Sequence, residues 1–426
     1  MLDRKITPTI EEAVHFDLQL KNCDRFTLDN QVPVYAMNAG AQDVVMVEWV
    51  FDAGNWYDKQ PMVAATTNFL IKNGTTTKTA YQINDFFEFH GAYLNRSCYN
   101  ETASLTLHCL SKHLETLLPV VREIIETSIF PEQELAIYIQ NQKQRLSVNL
   151  QKCDFIANRL IDEYLFGINH PYGTYSNAED YDALNTDVIK AFYKQYYLNG
   201  CCKIFVAGKM PTGYEAMLNK AFGTLPLQAV PHAVVEHPIV TASQKKVEII
   251  NDENGVQGAI RMARPFPNRH HPDFQKAHVL NTLFGGFFGS RLMSNIREDK
   301  GYTYGIHSYF QNHVHASAWM ISTEAGRDVC AATITEVLKE MELLRNELVD
   351  MEELNLVRNY MIGSLLGDLD GPFQLIGRWK NYVLNGLDEN YFYKSIETIK
   401  SVTPEELQRL ANTYLQPEDF YELVVI

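Results

Sequence analysis

Arg297 and Tyr304 stand seven positions apart in the run LNTLFGGFFGSRLMSNIREDKGYTY, which spans residues 280–304. Arginine presents a rigid fork of donors, and tyrosine a phenolic donor on a stiff ring. Together they suit the gripping of carbonyl or carboxylate oxygens. A hydrogen bond to a charged group contributes roughly 1.5–3 kcal/mol, and one donor aimed at a developing oxyanion about 10²–10³ in rate. Taken alone, the two residues also allow a plainer role. Arg297 could close a helix C-terminus, where the helix dipole favours a cation, and Tyr304 could fill core from a strand. Gly285, Gly286 and Gly289 lie just upstream. They permit a turn with close backbone approach. They do not follow a strand in a βαβ unit, so they are not a dinucleotide fingerprint.

The thirteen histidines offer no comparable constellation. His313 and His315 have the i, i+2 offset of one strand face, but spacing brings no third ligand to them. His270 and His271 fall in RPFPNRHHPDF, where His271-Pro272-Asp273 reads as a helix start. His90 beside Gly91 reads as a turn residue and His170, in HPYG, as a loop residue. The seven cysteines include no CxxC pair. Neither a disulfide framework nor a thiolate zinc site is indicated, and reduced thiols suit the cytoplasm.

A net charge of −15 repels phosphate and disfavours nucleic-acid binding. It would favour basic peptides, but solubility accounts for it equally well. The N-terminal MLDRKITPTI lacks the apolar run of a secretory signal. No stretch approaches 18 consecutive apolar residues, so no membrane span is expected.

The elements that must position these residues come in two similar series. At 426 residues, 46% of them hydrophobic, the chain suits two cores rather than one. The first series has strand-like runs at Val32–Met37 and Val44–Phe51, then helical stretches at Met62–Lys72 and Tyr81–Phe89. Gly91 opens a hairpin, and long helices follow at Leu114–Thr127 and Pro131–Leu150. The second series has strands at Lys246–Ile250 and Gln257–Met262 and helices at Phe274–Phe284 and Ser290–Glu298. Gly301 opens its hairpin, before helices at Val329–Glu347 and Met351–Leu366. Each series closes on a helix and a strand: LNTDVIKAFYKQYY before CKIFVAG, and VTPEELQRLANTYL before YELVVI. The expected fold is α+β, a duplicated domain with mostly antiparallel sheets and long helices on one side. The domains are expected at 1–228 and 244–426, joined by a Pro- and His-bearing linker at 229–243.

With GGFFGSRL, IREDKG and YTYG in this order, the second half resembles the substrate-binding segment of insulinase-like (pitrilysin) zinc metallopeptidases, a family that includes mitochondrial processing peptidases. That family's first domain carries a zinc helix, His-x-x-Glu-His, followed by a Gly-Thr turn. Two histidines at i and i+4 share one helix face and bind the metal, and the Glu activates its water. The matching stretch here is PMVAATTNFLIKNGT. Aligned on Gly74 and Thr75, it puts Ala65, Asn68 and Phe69 at the three positions. The later glutamate ligand should fall in 140–150, QNQKQRLSVNL, which contains no carboxylate. The resemblance therefore implies a chain that holds no zinc.

It also implies substrate binding by Arg297 and Tyr304, with Gly285 and Gly286 in the turn before them. In two-domain members of the family, two subunits enclose a chamber. The zinc helix of one faces the Arg/Tyr corner of the other. The expected partner is then a zinc-binding subunit of the same family, the expected substrates are peptides, and a homodimer is possible for the chain alone. The alternative is a structural scaffold, comparable to the core subunits of respiratory complex III. A third reading is a peptide-binding homodimer with no catalytic partner.

Overall fold

The computed structural model describes residues 11–230 and 235–426. The N-terminal stretch read for a signal segment, and 231–234 of the expected linker, lie outside them. The chain forms two compact units. The first comprises residues 22–244 with 371–381. The second comprises, among the described residues, 11–21, 245–370 and 382–426.

The first unit is built on a six-stranded sheet. Its strands are β1 (Asp24–Thr27), β2 (Pro33–Asn38), β3 (Val44–Phe51), β4 (Tyr93–Cys98), β5 (Ala103–Leu110) and β6 (Cys202–Gly208). Their order is β1-β2-β6-β3-β5-β4, so β4 is an edge. All neighbours run antiparallel except β2 and β6. Alternate residues of β3, namely Val45, Val47, Trp49 and Phe51, enter one apolar core. Helices α1 (Val63–Leu70), α2 (Ala80–Phe89), α3 (Leu114–Thr127) and α4 (Glu132–Asn149) supply further parts of it. On α3 the buried Leu114, Leu117, Leu118, Val121, Ile124 and Ile125 recur at three- and four-residue steps, the signature of a one-faced helix. Thr79 and Gln82 make a reciprocal capping box that fixes the start of α2.

The opposite face of β3 carries Glu48, which is also buried. Its carboxylate meets the Lys380 ammonium at 2.8 Å. Phe373, in the same helical segment as Lys380, reaches His108 of β5 with ring centres 6.4 Å apart. Lys380 thus pairs with a strand residue 332 positions earlier in sequence.

The second unit has five strands: β7 (Lys246–Ile249), β8 (Gln257–Phe266), β9 (Thr303–Asn312), β10 (Ser317–Gly326) and β11 (Tyr421–Val425). Their order is β7-β11-β8-β10-β9, with β9 at the edge and only β11–β7 parallel. The β9–β10 hairpin repeats the β4–β5 hairpin. Helices Cys330–Asn346 and Met351–Gly367 repeat the pair α3 and α4. The expected α+β duplication with mostly antiparallel sheets is the observed fold.

Two local expectations change. The helix expected over 290–298 resolves into a π-helical segment, Met293–Asp299, with a Lys300 N–H bond to the Asn295 carbonyl at its end. His313 and His315 are not strand residues. They fall in the turn between β9 and β10, where the His313 amide donates to the Ala316 carbonyl at 3.1 Å. A tight turn sits where the alternation had been read as continuing.

Candidate functional site

Helix α1 is where the resemblance would put a metal; there Asn68 is buried, Ala65 half-buried and Phe69 partly exposed. The Asp58 carboxylate holds its start by accepting from the Ala64 amide at 2.7 Å. Burial raises the Asp58 pKa to about 7, against the lowering effect of the Ala64 and Met62 amides. Ala65 offers only a methyl group. Asn68 is buried and donates through Nδ2 to the Tyr197 hydroxyl at 3.1 Å and to the Ser104 carbonyl at 3.3 Å. Tyr197 is itself fully buried, which pushes its phenol well above the usual range.

Phe69 lies against Tyr138 of α4, ring centres 4.7 Å apart. On its other flank is a cation: the Arg96 guanidinium of β4, 4.3 Å from the Phe69 ring centre. Arg96 also donates through Nη1 to the Phe69 carbonyl and, at 3.1 Å, to Asn73 Oδ1.

This site does not fit zinc. A zinc site needs imidazole, thiolate or carboxylate donors, and positions 65, 68 and 69 supply a methyl, an amide and a phenyl ring. The buried Asn68 amide is already engaged by two oxygens. Among the described residues, no three His, Cys, Asp or Glu side chains come together to hold a metal ion.

The Arg/Tyr corner lies in the second unit. The π-helical segment Met293–Asp299 carries Arg297 near its end, and Tyr304 begins the exposed part of β9. π-helical turns are short and recur at functional sites. Arg297 Nε donates to the Tyr304 carbonyl at 3.0 Å, so the spacing of seven brings the two residues together. The guanidinium also lies 4.6 Å from the Phe288 ring centre and 3.7 Å from a Glu298 oxygen. Tyr304 is 95% exposed and Phe288 59%. Arg297, Tyr304 and Phe288 therefore make an outward-facing patch with a cation, a phenol and a bare aromatic face.

Gly285 and Gly286 play unlike parts. Gly285 is buried, and a Cβ there would stand 2.7 Å from Ser308 Cβ and 2.9 Å from the Ser308 amide nitrogen. Its lack of a side chain lets the chain close onto β9. Around it, Ser308 Oγ donates to Asn281 Oδ1 at 2.7 Å and accepts from Trp319 Nε1 at 2.7 Å. Gly286 is exposed. The two glycines fix the path into the arginine-bearing turn.

The remaining sequence candidates hold structural posts. His90 ends α2 and bonds the Phe86 carbonyl at 2.8 Å. His271 accepts from the Asp273 amide at 3.2 Å, at the start of helix Phe274–Asn281. His170 is buried beside Trp56, Tyr172 and His237. All seven cysteines are free thiols. No helix among the described residues is long and apolar enough to cross a membrane.

Known proteins resemble this chain in sequence and in fold. Residues 183–361 match the family profile described as "Peptidase M16 inactive domain". An uncharacterized zinc protease, YmxG of Bacillus subtilis, is 24% identical over 93% of this chain and 96% of its own length. A Helicobacter pylori protein named "non-peptidase homolog YmxG" is 22% identical over 84% of this chain and 82% of its own. A crystal structure of a peptidase M16 inactive domain from Pseudomonas fluorescens superposes with a TM-score of 0.85. It covers 95% of this chain and 98% of that one, at 22% identity. Over residues 183–361 the chain is thus similar to the M16 inactive domain, and the stretch that resembles a zinc helix carries Ala65, Asn68 and Phe69.

Proposed function

We propose that this chain is the non-catalytic, substrate-binding subunit of a heterodimeric zinc metallopeptidase. The partner is a subunit of the same family that holds the zinc, and the substrates are peptides. Arg297 and Tyr304 complete the partner's site in trans. The observation that carries this reading is the Arg297–Tyr304–Phe288 patch. Its phenol is almost wholly exposed, and its arginine is held in place by the Tyr304 carbonyl. A residue kept for folding alone would be expected to spend its hydroxyl inside the unit. An arginine fork and a neighbouring phenol can hold an extended peptide and stabilise charge on its carbonyl oxygen. The free thiols favour a cytoplasmic setting for this subunit.

Reconstitution with the zinc-bearing partner tests the proposal. Arg297→Ala and Tyr304→Phe should each lower kcat/KM by roughly 10²–10³, with the zinc content of the pair unchanged. Because Tyr304 is exposed, Tyr304→Phe should leave thermal stability as it was. A reconstituted pair that keeps full activity with both substitutions would sink the trans-site reading and leave scaffolding as the better account.

A further inference from the structure

We propose that Arg96 and Lys72 form a carboxylate-binding site on the edge strand of the first unit, beside the helix that has lost its metal ligands. The ligand is a carboxylate presented by a peptide, either its C-terminal group or an acidic side chain. The inference concerns the first unit alone and does not rest on the trans-site reading.

Several observations converge. Arg96 lies on β4, the last strand of its sheet. Its guanidinium is fixed from one end: Nη1 bonds the Phe69 carbonyl and Asn73 Oδ1, and the Phe69 ring supports one face. Among the described residues, Nε and Nη2 have no hydrogen-bond partner, so the edge of the fork suited to a carboxylate is left over. Lys72 donates to the carbonyl of Leu94, two residues along the same strand, at 3.2 Å. Neither cation has a carboxylate within ion-pair distance among the described residues. The nearest acids act indirectly. Glu134 reaches the cluster only through Asn73, whose Nδ2 it binds at 2.8 Å, and Glu88 favours the Lys72 charge from further off.

Burial sharpens the demand for an anion. It lowers Arg96 to about 10. Burial, with the charge of Arg96 as second cause, lowers Lys72 to about 8. Two partly desolvated, mutually repelling cations are costly without a counterion. A bound carboxylate would answer both. The setting also accounts for what replaces the metal. Phe69 takes a ligand position, and Tyr138 comes from the helix expected to bear the last ligand. The guanidinium flanks the Phe69 ring, which also lies against Tyr138. Where the family would offer a divalent cation to a carbonyl oxygen, this chain offers a planar cation, whose geometry prefers a carboxylate.

The test uses the whole chain and four fluorescein-labelled decapeptides of one extended sequence. They end in a free carboxylate or a carboxamide, with a central Glu or Gln. Fluorescence anisotropy gives each Kd. At least one carboxylate should bind about tenfold more tightly than its neutral counterpart. The free-terminus and Glu arms identify which source the site takes. Arg96→Met should equalise acid and neutral peptides while leaving the neutral peptide's affinity unchanged. Lys72→Met should narrow the gap in part. The wild-type comparison stands even if a variant folds poorly. Equal binding of acid and neutral peptides by the wild-type chain, absence of binding by any of the four, or a preference retained in folded Arg96→Met would overturn the proposal.

Discussion

At the scale of single residues, the stretch that resembles a zinc helix is a packing helix with Asn68 buried and Phe69 partly exposed, and a buried carboxyl at its start has an altered titration. Asp58 caps α1 from a buried position, and burial raises its pKa to about 7, against an ordinary carboxylate value near 4. A carboxyl that holds its proton more tightly when folded stabilises the protein most below its unfolded pKa. That contribution is lost as pH rises through the folded value. The stability of the wild type relative to Asp58→Asn should therefore fall between about pH 4 and pH 7 and level off above. Urea denaturation of both proteins across that range checks it, and a difference independent of pH would show that Asp58 is not so perturbed. The residue types at Ala65, Asn68 and Phe69 are legible in the sequence, and none of them is a zinc-ligating type. Their contacts are not. Nothing in the string shows that Asn68 meets Tyr197, or that Arg96, in the hairpin that Gly91 opens, lies over Phe69. Those contacts depend on how α1, α4 and β4 converge in three dimensions.

Among the elements, long periodic stretches were read closely from sequence. Strand β3 and helix α3 have the expected limits, because eight and fourteen residues of steady pattern leave little room for error. The irregular segments were harder. The segments Thr282–Gly286 and Met293–Asp299 are π-helical, and the first leaves helical backbone geometry at Gly285 (φ −157°, ψ 15°), which apolar spacing does not reveal. The first of them contains Gly285 and Gly286. Gly285→Ala should destabilise the protein by about 1–3 kcal/mol, since the new methyl meets backbone as well as the Ser308 side chain. Gly286→Ala should cost less, its closest approach being 3.2 Å to the Asn281 carbonyl. Chemical denaturation of the two variants ranks them. Equal effects would mean that the close approach to Ser308 relaxes freely.

On the scale of the whole molecule, the repeated series of helices and hairpins was visible in the sequence, because both copies keep their order of elements. The partnership of Glu48 with Lys380 was not, since the two are 332 positions apart. Glu48 is charged in the middle of an otherwise apolar strand and would ordinarily be a poor choice there. Lys380 offsets it, with side-chain exposures of 31% for the lysine and 9% for the glutamate. Lys380→Met should cost roughly 3 kcal/mol, the low end for a broken buried pair because the lysine is partly solvated. Adding Glu48→Gln should restore part of that loss. Thermal melts of the single and double variants measure the coupling, and strictly additive losses would deny it.

The ends of the two units carry a consequence for synthesis on the ribosome. Residues 11–21 belong with the second sheet, and the Val14 amide is held by Asn359 at 3.1 Å. Residues 371–381 return to the first. A chain emerging from its N-terminus must carry its opening segment undocked until some 345 further residues have appeared. Its first sheet lacks the counterion of Glu48 until Lys380 follows. At about 5–20 residues per second, that interval lasts tens of seconds, during which Glu48 remains without its ammonium partner. A pause in translation before Lys380 prolongs that exposure, and one after it does not.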